Sequence, residues 1–140
     1  MPVVAVVSGT THPERILFEA ADVADENDTE VHVCYVLGLG WYSNLEISIA
    51  DRLGIPVHLD TIRGVCERRA EGYADSVLDE YESIGLIGQP IEELTRYAEE
   101  VDAEWIVVDG NSRLATGIWT IRRDPVEELR DAGFTVKPVF

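Results

Sequence analysis

A short polar run near the start of the chain is the first stretch whose residue types could perform chemistry. Ser8-Gly9-Thr10-Thr11 follows an apolar run and precedes a helical pattern, a context in which backbone N–H groups and hydroxyls can bind an anion. The same four residues are also what an ordinary connection between a strand and a helix requires. His12 comes next, and it is either a general base beside this turn or a solvated histidine at the helix start. The solvated histidine is the simpler interpretation.

A second group of candidate residues begins at Gly110. Three arginines follow it and concentrate positive charge in an otherwise acidic chain: Arg113, Arg122 and Arg123. Guanidinium groups bind anions through charge-assisted hydrogen bonds, so Arg113 is a candidate contact for an anion or a nucleotide. The competing interpretation, which we favour, is that these arginines neutralise neighbouring carboxylates.

The other reactive residues form no catalytic set and no metal site by their spacing. His32 falls within an apolar run and His58 in an irregular stretch, and neither stands in a pattern with serine, cysteine or aspartate. Cys34 and Cys66 lie far apart without a second cysteine or histidine at metal-binding spacing. We predict that both cysteines are buried small apolar side chains, and that the protein is not an enzyme and holds no metal.

The charge balance restricts the possible partners. Eleven basic and 27 acidic residues give the 140-residue chain a formal charge of −16, which repels phosphate backbones and argues against nucleic acid as a partner. All the basic residues except Lys137 are arginines, a composition typical of proteins adapted to high salt. No apolar stretch approaches the roughly 18 residues of a membrane span, and no cationic segment precedes the first apolar run. We therefore expect a cytoplasmic protein without a membrane partner.

Hydrophobic periodicity predicts alternating strands and helices within one domain, residues 1–140. The predicted strands are Val3–Val7, Val31–Leu37, Ser83–Ile87, Trp105–Val108 and Phe134–Phe140. Helical patterns begin at Pro13, Pro90 and Pro125, and others cover residues 44–53 and 62–80. Thr11 and Glu14 have the spacing of a capping box, and Asp124 stands at an N-cap position.

Alternation of this kind requires right-handed crossovers between neighbouring strands. We therefore predict an α/β fold with a doubly wound, mainly parallel five-stranded sheet and helices on both faces. Ligands of such sheets bind beyond the carboxyl ends of the strands at the point where the strand order switches. The turn at Ser8–Thr11 and the segment that starts at Gly110 are expected to meet there.

Several local motifs resemble one known family over essentially the whole chain except residues 41–60. The first is Val3-Val4-Ala5-Val6-Val7-Ser8-Gly9-Thr10, with His12, Glu14, Arg15 and Leu17 after it. The second is Gly88-Gln89-Pro90-Ile91, which leads through Ala98 and Ala103-Glu104-Trp105-Ile106-Val107-Val108 to Gly110. Taken together, these segments resemble the universal stress protein family. The resemblance implies a Rossmann-like fold of the adenine nucleotide alpha hydrolase type, dimerisation through the last strand and, in some members, ATP at the switch point.

The sequence departs from the family at the residues that contact ATP. Members that bind ATP carry an aspartate where this chain has Ser8, and a glycine where it has Arg113. The glycine and serine that close the family's phosphate motif are replaced by Arg123-Asp124, whose carboxylate would repel an anion. We therefore predict that standard ATP binding is lost and that no cofactor is required.

The function that we predict is that of a non-enzymatic stress-response or regulatory protein that acts as a homodimer. Phe134, Val136 and Val139 make the last strand apolar, and an apolar strand at the edge of a sheet can pair with its symmetry mate. The first alternative is a module that binds ATP or AMP in a modified geometry through Arg113 and the turn at Ser8. The second alternative is a small enzyme that uses His12 on an anionic substrate.

Overall fold

Five strands and four helices alternate along the part of the chain that the computed structural model describes, residues 1–38, 59–110 and 125–140. The strands are β1 (Val3–Val6), β2 (Val31–Gly38), β3 (Glu82–Gly88), β4 (Trp105–Asp109) and β5 (Thr135–Val139). The helices are α1 (Pro13–Glu26), α2 (Leu59–Ala74), α3 (Pro90–Glu100) and α4 (Pro125–Asp131).

The five strands form one parallel sheet in the order β3-β2-β1-β4-β5. Val3 in β1 stands opposite Val31 in β2 on one side and Trp105 in β4 on the other. The chain runs outward from β1 through β2 to β3, returns across the sheet to β4, and then continues to β5. The predicted five-stranded parallel α/β fold is confirmed, and the strand order switches between β1 and β4.

The central strand β1 is covered by helices on both faces of the sheet. Val3 and Ala5 point into one core cluster together with the buried side chains of α1 and α2, whereas Val4 and Val6 point into another with α3 and α4. A strand with no solvent-facing side must be apolar at every position. The uninterrupted valine and alanine run therefore follows from the central place of β1.

The start of α1 differs from the prediction. The capping box between Thr11 and Glu14 is wrong, because the N-cap residue is His12 and no side chain there makes a capping hydrogen bond. The hydroxyl of Thr10 instead accepts the backbone N–H of His12 at 3.2 Å, a turn typical of serine and threonine before a helix. Pro13 does occupy the first turn, as predicted.

The helix predicted over 62–80 has the wrong bounds, because α2 begins at Leu59 and ends at Ala74. The backbone N–H groups of Val77 and Leu78 both bond to the carbonyl of Ala74, which closes a turn rather than continuing the helix. Leu78 is buried in the turn. The apolar side chain of Val77 also packs against the core from this turn, and it extended the helical pattern beyond the real helix.

The other predicted boundaries agree with the structure to within a residue or two. The two cysteines are buried and unpaired, as predicted. The predicted helix over 44–53 and the N-cap at Asp124 lie outside the described residues. Among the described helices, none has both the length and the apolar character of a membrane span.

Candidate ligand site at the switch point

The candidate site lies at the carboxyl ends of β1 and β4. In chain order β1 leads to β2 on one side of the sheet and β4 leads to β5 on the other, and open α/β sheets bind ligands in a crevice at such a switch point. Residues 7–12 form one side of the crevice, and the end of β4 forms the other. Gly9 is exposed at the tip of the turn with φ = 70°, a conformation that glycine adopts without the strain of a Cβ atom.

Ser8 is directed into the sheet rather than toward a ligand. Its side chain is buried, and its Oγ accepts the backbone N–H of Val36 at 2.9 Å. The hydroxyl therefore ties the end of β1 to β2. Of the residues predicted to form an anion-binding turn, Ser8 therefore has a structural role. Gly9 is exposed at the tip of the turn, and Thr10 contacts the end of β4.

Thr10 and Asp109 join the two sides of the crevice. Thr10 Oγ1 donates a hydrogen bond to Asp109 Oδ2 at 2.7 Å, across 99 positions of sequence. The side chain of Asp109 is 7% exposed. This hydrogen bond fixes the carboxylate of the last residue of β4 against the turn that follows β1.

His12 completes what we call the switch-point cluster, which consists of Thr10, His12 and Asp109. His12 Nε2 lies 3.6 Å from Asp109 Oδ2, and the histidine side chain is 24% exposed. Nε2 itself is shielded from solvent and has no hydrogen bond within the described part of the chain. The prediction of a solvated histidine is wrong, because the turn at Thr10 directs the ring toward Asp109.

Gly110 contributes its backbone to β5. Its N–H donates to the carbonyl of Val139 at 2.8 Å, and a Cβ atom at this position would collide with the aromatic ring of Phe140. Gly110 is therefore required for the close approach of the last residue. The predicted contact at Arg113 lies outside the described residues, as do Arg122 and Arg123.

The structure adds Asp109, which the sequence analysis did not place among the site residues. The available signal was a carboxylate that ends a buried apolar strand directly before Gly110. No group of three potential metal ligands occurs among the described residues. The cluster offers a carboxylate, a hydroxyl and an imidazole, and these groups can form hydrogen bonds with the hydroxyl and amino groups of a small ligand.

The other described histidine lies at the opposite end of the sheet and has a structural role. His32 Nδ1 shares a hydrogen bond of 2.7 Å with the hydroxyl of Tyr97, and His32 Nε2 lies 3.1 Å from Glu30 Oε1. These contacts join β2 to α3. Burial raises the pKa of Tyr97 above its usual range, so its hydroxyl keeps its proton in this contact.

Comparison with protein-family models identifies the family of this chain. The model of the universal stress protein family matches residues 1–117, most of the chain. The chain belongs to the universal stress protein family. Comparison with curated proteins gives no match.

Solved structures of universal stress proteins share the fold. One, in complex with cAMP, has 20% identity and a TM-score of 0.61, with 99% of this chain and 95% of that chain covered. One from Archaeoglobus fulgidus, in complex with dAMP, has 23% identity and a TM-score of 0.59, with coverages of 97% and 94%. One from Lactobacillus plantarum has 15% identity and a TM-score of 0.63, with coverages of 100% and 97%.

Proposed function

We propose that this chain is a non-enzymatic regulatory protein of the universal stress type that binds an adenine nucleoside or mononucleotide at the switch point. The observation that carries the proposal is the switch-point cluster between β1 and β4, where open α/β sheets bind their ligands. Complexes of two proteins with this fold, one with cAMP and one with dAMP, support the ligand class.

The same groups support a binding geometry that differs from standard ATP binding. Ser8 stands where ATP-binding members carry an aspartate, and its Oγ accepts the N–H of Val36 within the sheet. A ligand would instead meet Thr10, His12 and Asp109. The signal that the protein conveys would then depend on occupancy of this cluster and not on hydrolysis of a triphosphate.

Binding without turnover is supported by the direction of the His12 ring. Nε2 is shielded from solvent and faces the carboxylate of Asp109, and Nδ1 lies 3.5 Å from Thr11 Oγ1. A general base must reach the proton that it removes, within about 3 Å or through one water. His12 is thus better placed to hold Asp109 and the turn than to attack a ligand.

Calorimetric titration of adenosine, AMP and cAMP into the protein in concentrated potassium chloride tests the proposal. We expect saturable binding, and we expect Thr10→Val to weaken it about tenfold because the hydroxyl donor to Asp109 is lost. Thr95→Val is the matched control, since Thr95 lies on α3 in a groove between α3 and α4, away from the crevice. Absence of binding by adenosine, AMP and cAMP would contradict the proposal, and release of product during the titration would show turnover.

We also propose that the protein is a homodimer that pairs through the edge strand β5. Among the strands that the structure describes, β5 has a neighbour on one side only, but Val136 and Val139 point into the core. Their side chains are therefore unable to form the interface predicted from the sequence. The proposed contact uses the outer edge of β5 together with Phe140, which is 66% exposed. The oligomeric state in solution tests this proposal.

The cytoplasm is the location that we propose. Its support is the state of Cys34 and Cys66, which are both free and buried. Unpaired cysteines are common in proteins of reducing compartments. Fractionation of the native host cells with detection of the protein tests this location.

A further inference from the structure

We propose that Ser8 is a positioning residue of the switch-point site, because its hydroxyl holds the turn that presents Thr10 to the ligand. This inference rests on the proposed function and adds to it a residue that acts through Thr10. Ser8 is buried, and its Oγ accepts the backbone N–H of Val36 at 2.9 Å. This hydrogen bond takes a place in the sheet that regular pairing gives to a backbone carbonyl.

The pairing of β1 with β2 identifies the carbonyl that the serine hydroxyl replaces. In a parallel pair, each bonded residue donates to the residue before its partner and accepts from the residue after it. Val7 donates to the carbonyl of Cys34 at 3.0 Å, so the register of the two strands assigns the carbonyl of Val7 to the N–H of Val36. That N–H bonds to Ser8 Oγ, and β1 ends at Val6.

This replacement lets the chain leave the sheet directly after Val7. The hydroxyl supplies the acceptor that the buried N–H of Val36 needs, so the carbonyl of Val7 does not have to remain against β2. Gly9 then turns the chain with φ = 70°, which glycine adopts without strain. A regular backbone hydrogen bond at this place would carry the chain further along the sheet before it could turn.

The turn is consequently held by both neighbours of β1. Ser8 attaches its beginning to β2, and Thr10 Oγ1 attaches its end to β4 through the 2.7 Å hydrogen bond to Asp109 Oδ2. The same Oγ1 accepts the N–H of His12 at 3.2 Å, which fixes the start of α1. Only Gly9 separates the two attached residues. Loss of the attachment at Ser8 therefore displaces Thr10.

The variant Ser8→Ala removes the acceptor. The N–H of Val36 then either lacks a partner or bonds to the carbonyl of Val7, which lengthens β1 and pulls the turn into the sheet. Both outcomes move Thr10 from its place in the site. We expect the Kd for AMP, measured by calorimetry in concentrated potassium chloride, to rise about tenfold, the effect of one lost hydrogen bond.

Two further variants separate positioning from a general loss of stability. Thr29→Val is the matched control, because Thr29 Oγ1 donates to the carbonyl of Met1 at 2.8 Å, beside the opposite ends of β1 and β2. It removes a hydroxyl bond between the same two segments of chain and should leave the Kd for AMP unchanged. Ser8→Thr retains the hydroxyl and should restore most of the affinity that Ser8→Ala loses.

A double-mutant cycle shows whether Ser8 acts through Thr10. Thr10→Val alone is expected to weaken binding about tenfold. In the Ser8→Ala background Thr10 is already displaced, so Thr10→Val should have little further effect. The double variant should then bind AMP about as weakly as either single variant, whereas independent effects would multiply to about a hundredfold.

Hydrogen exchange of the wild-type protein provides a test that needs no variant. If the Ser8 bond favours ligand binding, then the ligand must favour the Ser8 bond by the same factor. We expect saturating AMP to slow exchange of the Val36 amide about tenfold more than that of the Val3 amide. Val3 donates to the carbonyl of Glu30 at the other end of the same strand pair, and it reports any general stabilisation.

Equal Kd values for the wild-type protein and Ser8→Ala would overturn the inference while the proposed function stands. Multiplied effects in the cycle would also overturn it, as would an equal loss of affinity in Thr29→Val. If Ser8→Ala does not fold, hydrogen exchange decides, and equal slowing of the two amides would contradict the positioning role. Failure of adenosine, AMP and cAMP to bind the wild-type protein would instead contradict the proposed function itself.

Discussion

At the scale of single residues, burial decides which reactive groups are available. Cys34 lies in β2 with no exposure, and Cys66 lies on α2 with 2%. Burial raises the pKa of both thiols, and at Cys66 the positive charge of Arg69 partly opposes this effect. Since the thiolate is the reactive form, neither cysteine of the folded protein is a good nucleophile.

We therefore predict that a disulfide reagent such as Ellman's reagent modifies neither thiol rapidly at pH 8 in the native state. In urea both should react at once, since unfolding removes the burial that raises their pKa. Cys34→Ala and Cys66→Ala report each thiol separately, and in the slow reaction of the native state Cys66 should react before Cys34, because Arg69 partly opposes the rise of its pKa. Stoichiometric reaction of Cys66 within seconds in the native Cys34→Ala variant would show that the α2 side of the sheet opens readily.

At the scale of elements, one glycine sets the distance between a helix and the sheet. A Cβ atom on Gly85 of β3 would lie 2.9 Å from Cys66 Cβ and closer still to the backbone carbonyl of Arg63, both on α2. Gly85→Ala must push α2 away from the strand, and overpacking of this kind costs about 1–3 kcal/mol. We predict that urea unfolding shows a loss of about 2 kcal/mol.

The matched control is Gly72→Ala on the same helix. A Cβ atom there meets no atom within 4 Å, and alanine is the better helix former by roughly 0.5–1 kcal/mol. This variant should be as stable as the wild-type protein or slightly more stable. Equal stability of the two variants would show that α2 does not need its close approach to β3.

The elements themselves could be predicted from the sequence to a large extent. The uninterrupted apolar run of β1 and the prolines that open α1, α3 and α4 are local signals, and each marked its element correctly. The end of α2 was missed because Val77 keeps the helical spacing although it packs against the core from a turn. Apolar spacing alone does not distinguish a last helical turn from a buried residue after it.

The candidate site could be predicted only in part. Because ligands of doubly wound sheets bind where the strand order switches, the sequence predicted that the turn at Thr10 and the end of β4 lie together. The roles within the site depend on side-chain directions that no local pattern encodes: Ser8 turns into the sheet, and Asp109 reaches Thr10 across the crevice. Contacts between residues 99 positions apart require the register of the strands.

At the scale of the whole molecule, the edge of the sheet at β5 is partly protected against pairing. Gly110 donates to the carbonyl of Val139, so the backbone groups of the alternate residues Val136 and Pro138 face away from β4, toward the open edge. Arg130 donates to the carbonyl of Val136 at 3.4 Å, and Pro138 has no N–H to offer. A second copy of the chain would therefore gain few backbone hydrogen bonds, and the exposed ring of Phe140 must contribute much of the proposed contact.

We accordingly predict that Phe140→Asp converts the dimer into a monomer, because it replaces the exposed apolar ring with a charge beside the partner strand. Phe18→Asp is the control, since Phe18 is similarly exposed, at 58%, but lies on α1. Size-exclusion chromatography with light scattering in concentrated potassium chloride measures the masses. A wild-type protein that is monomeric at about 100 μM, well above the micromolar Kd values of specific complexes, would contradict the proposed dimer. A dimeric Phe140→Asp would place the interface away from β5, and disruption by Phe18→Asp would move it to the face of α1.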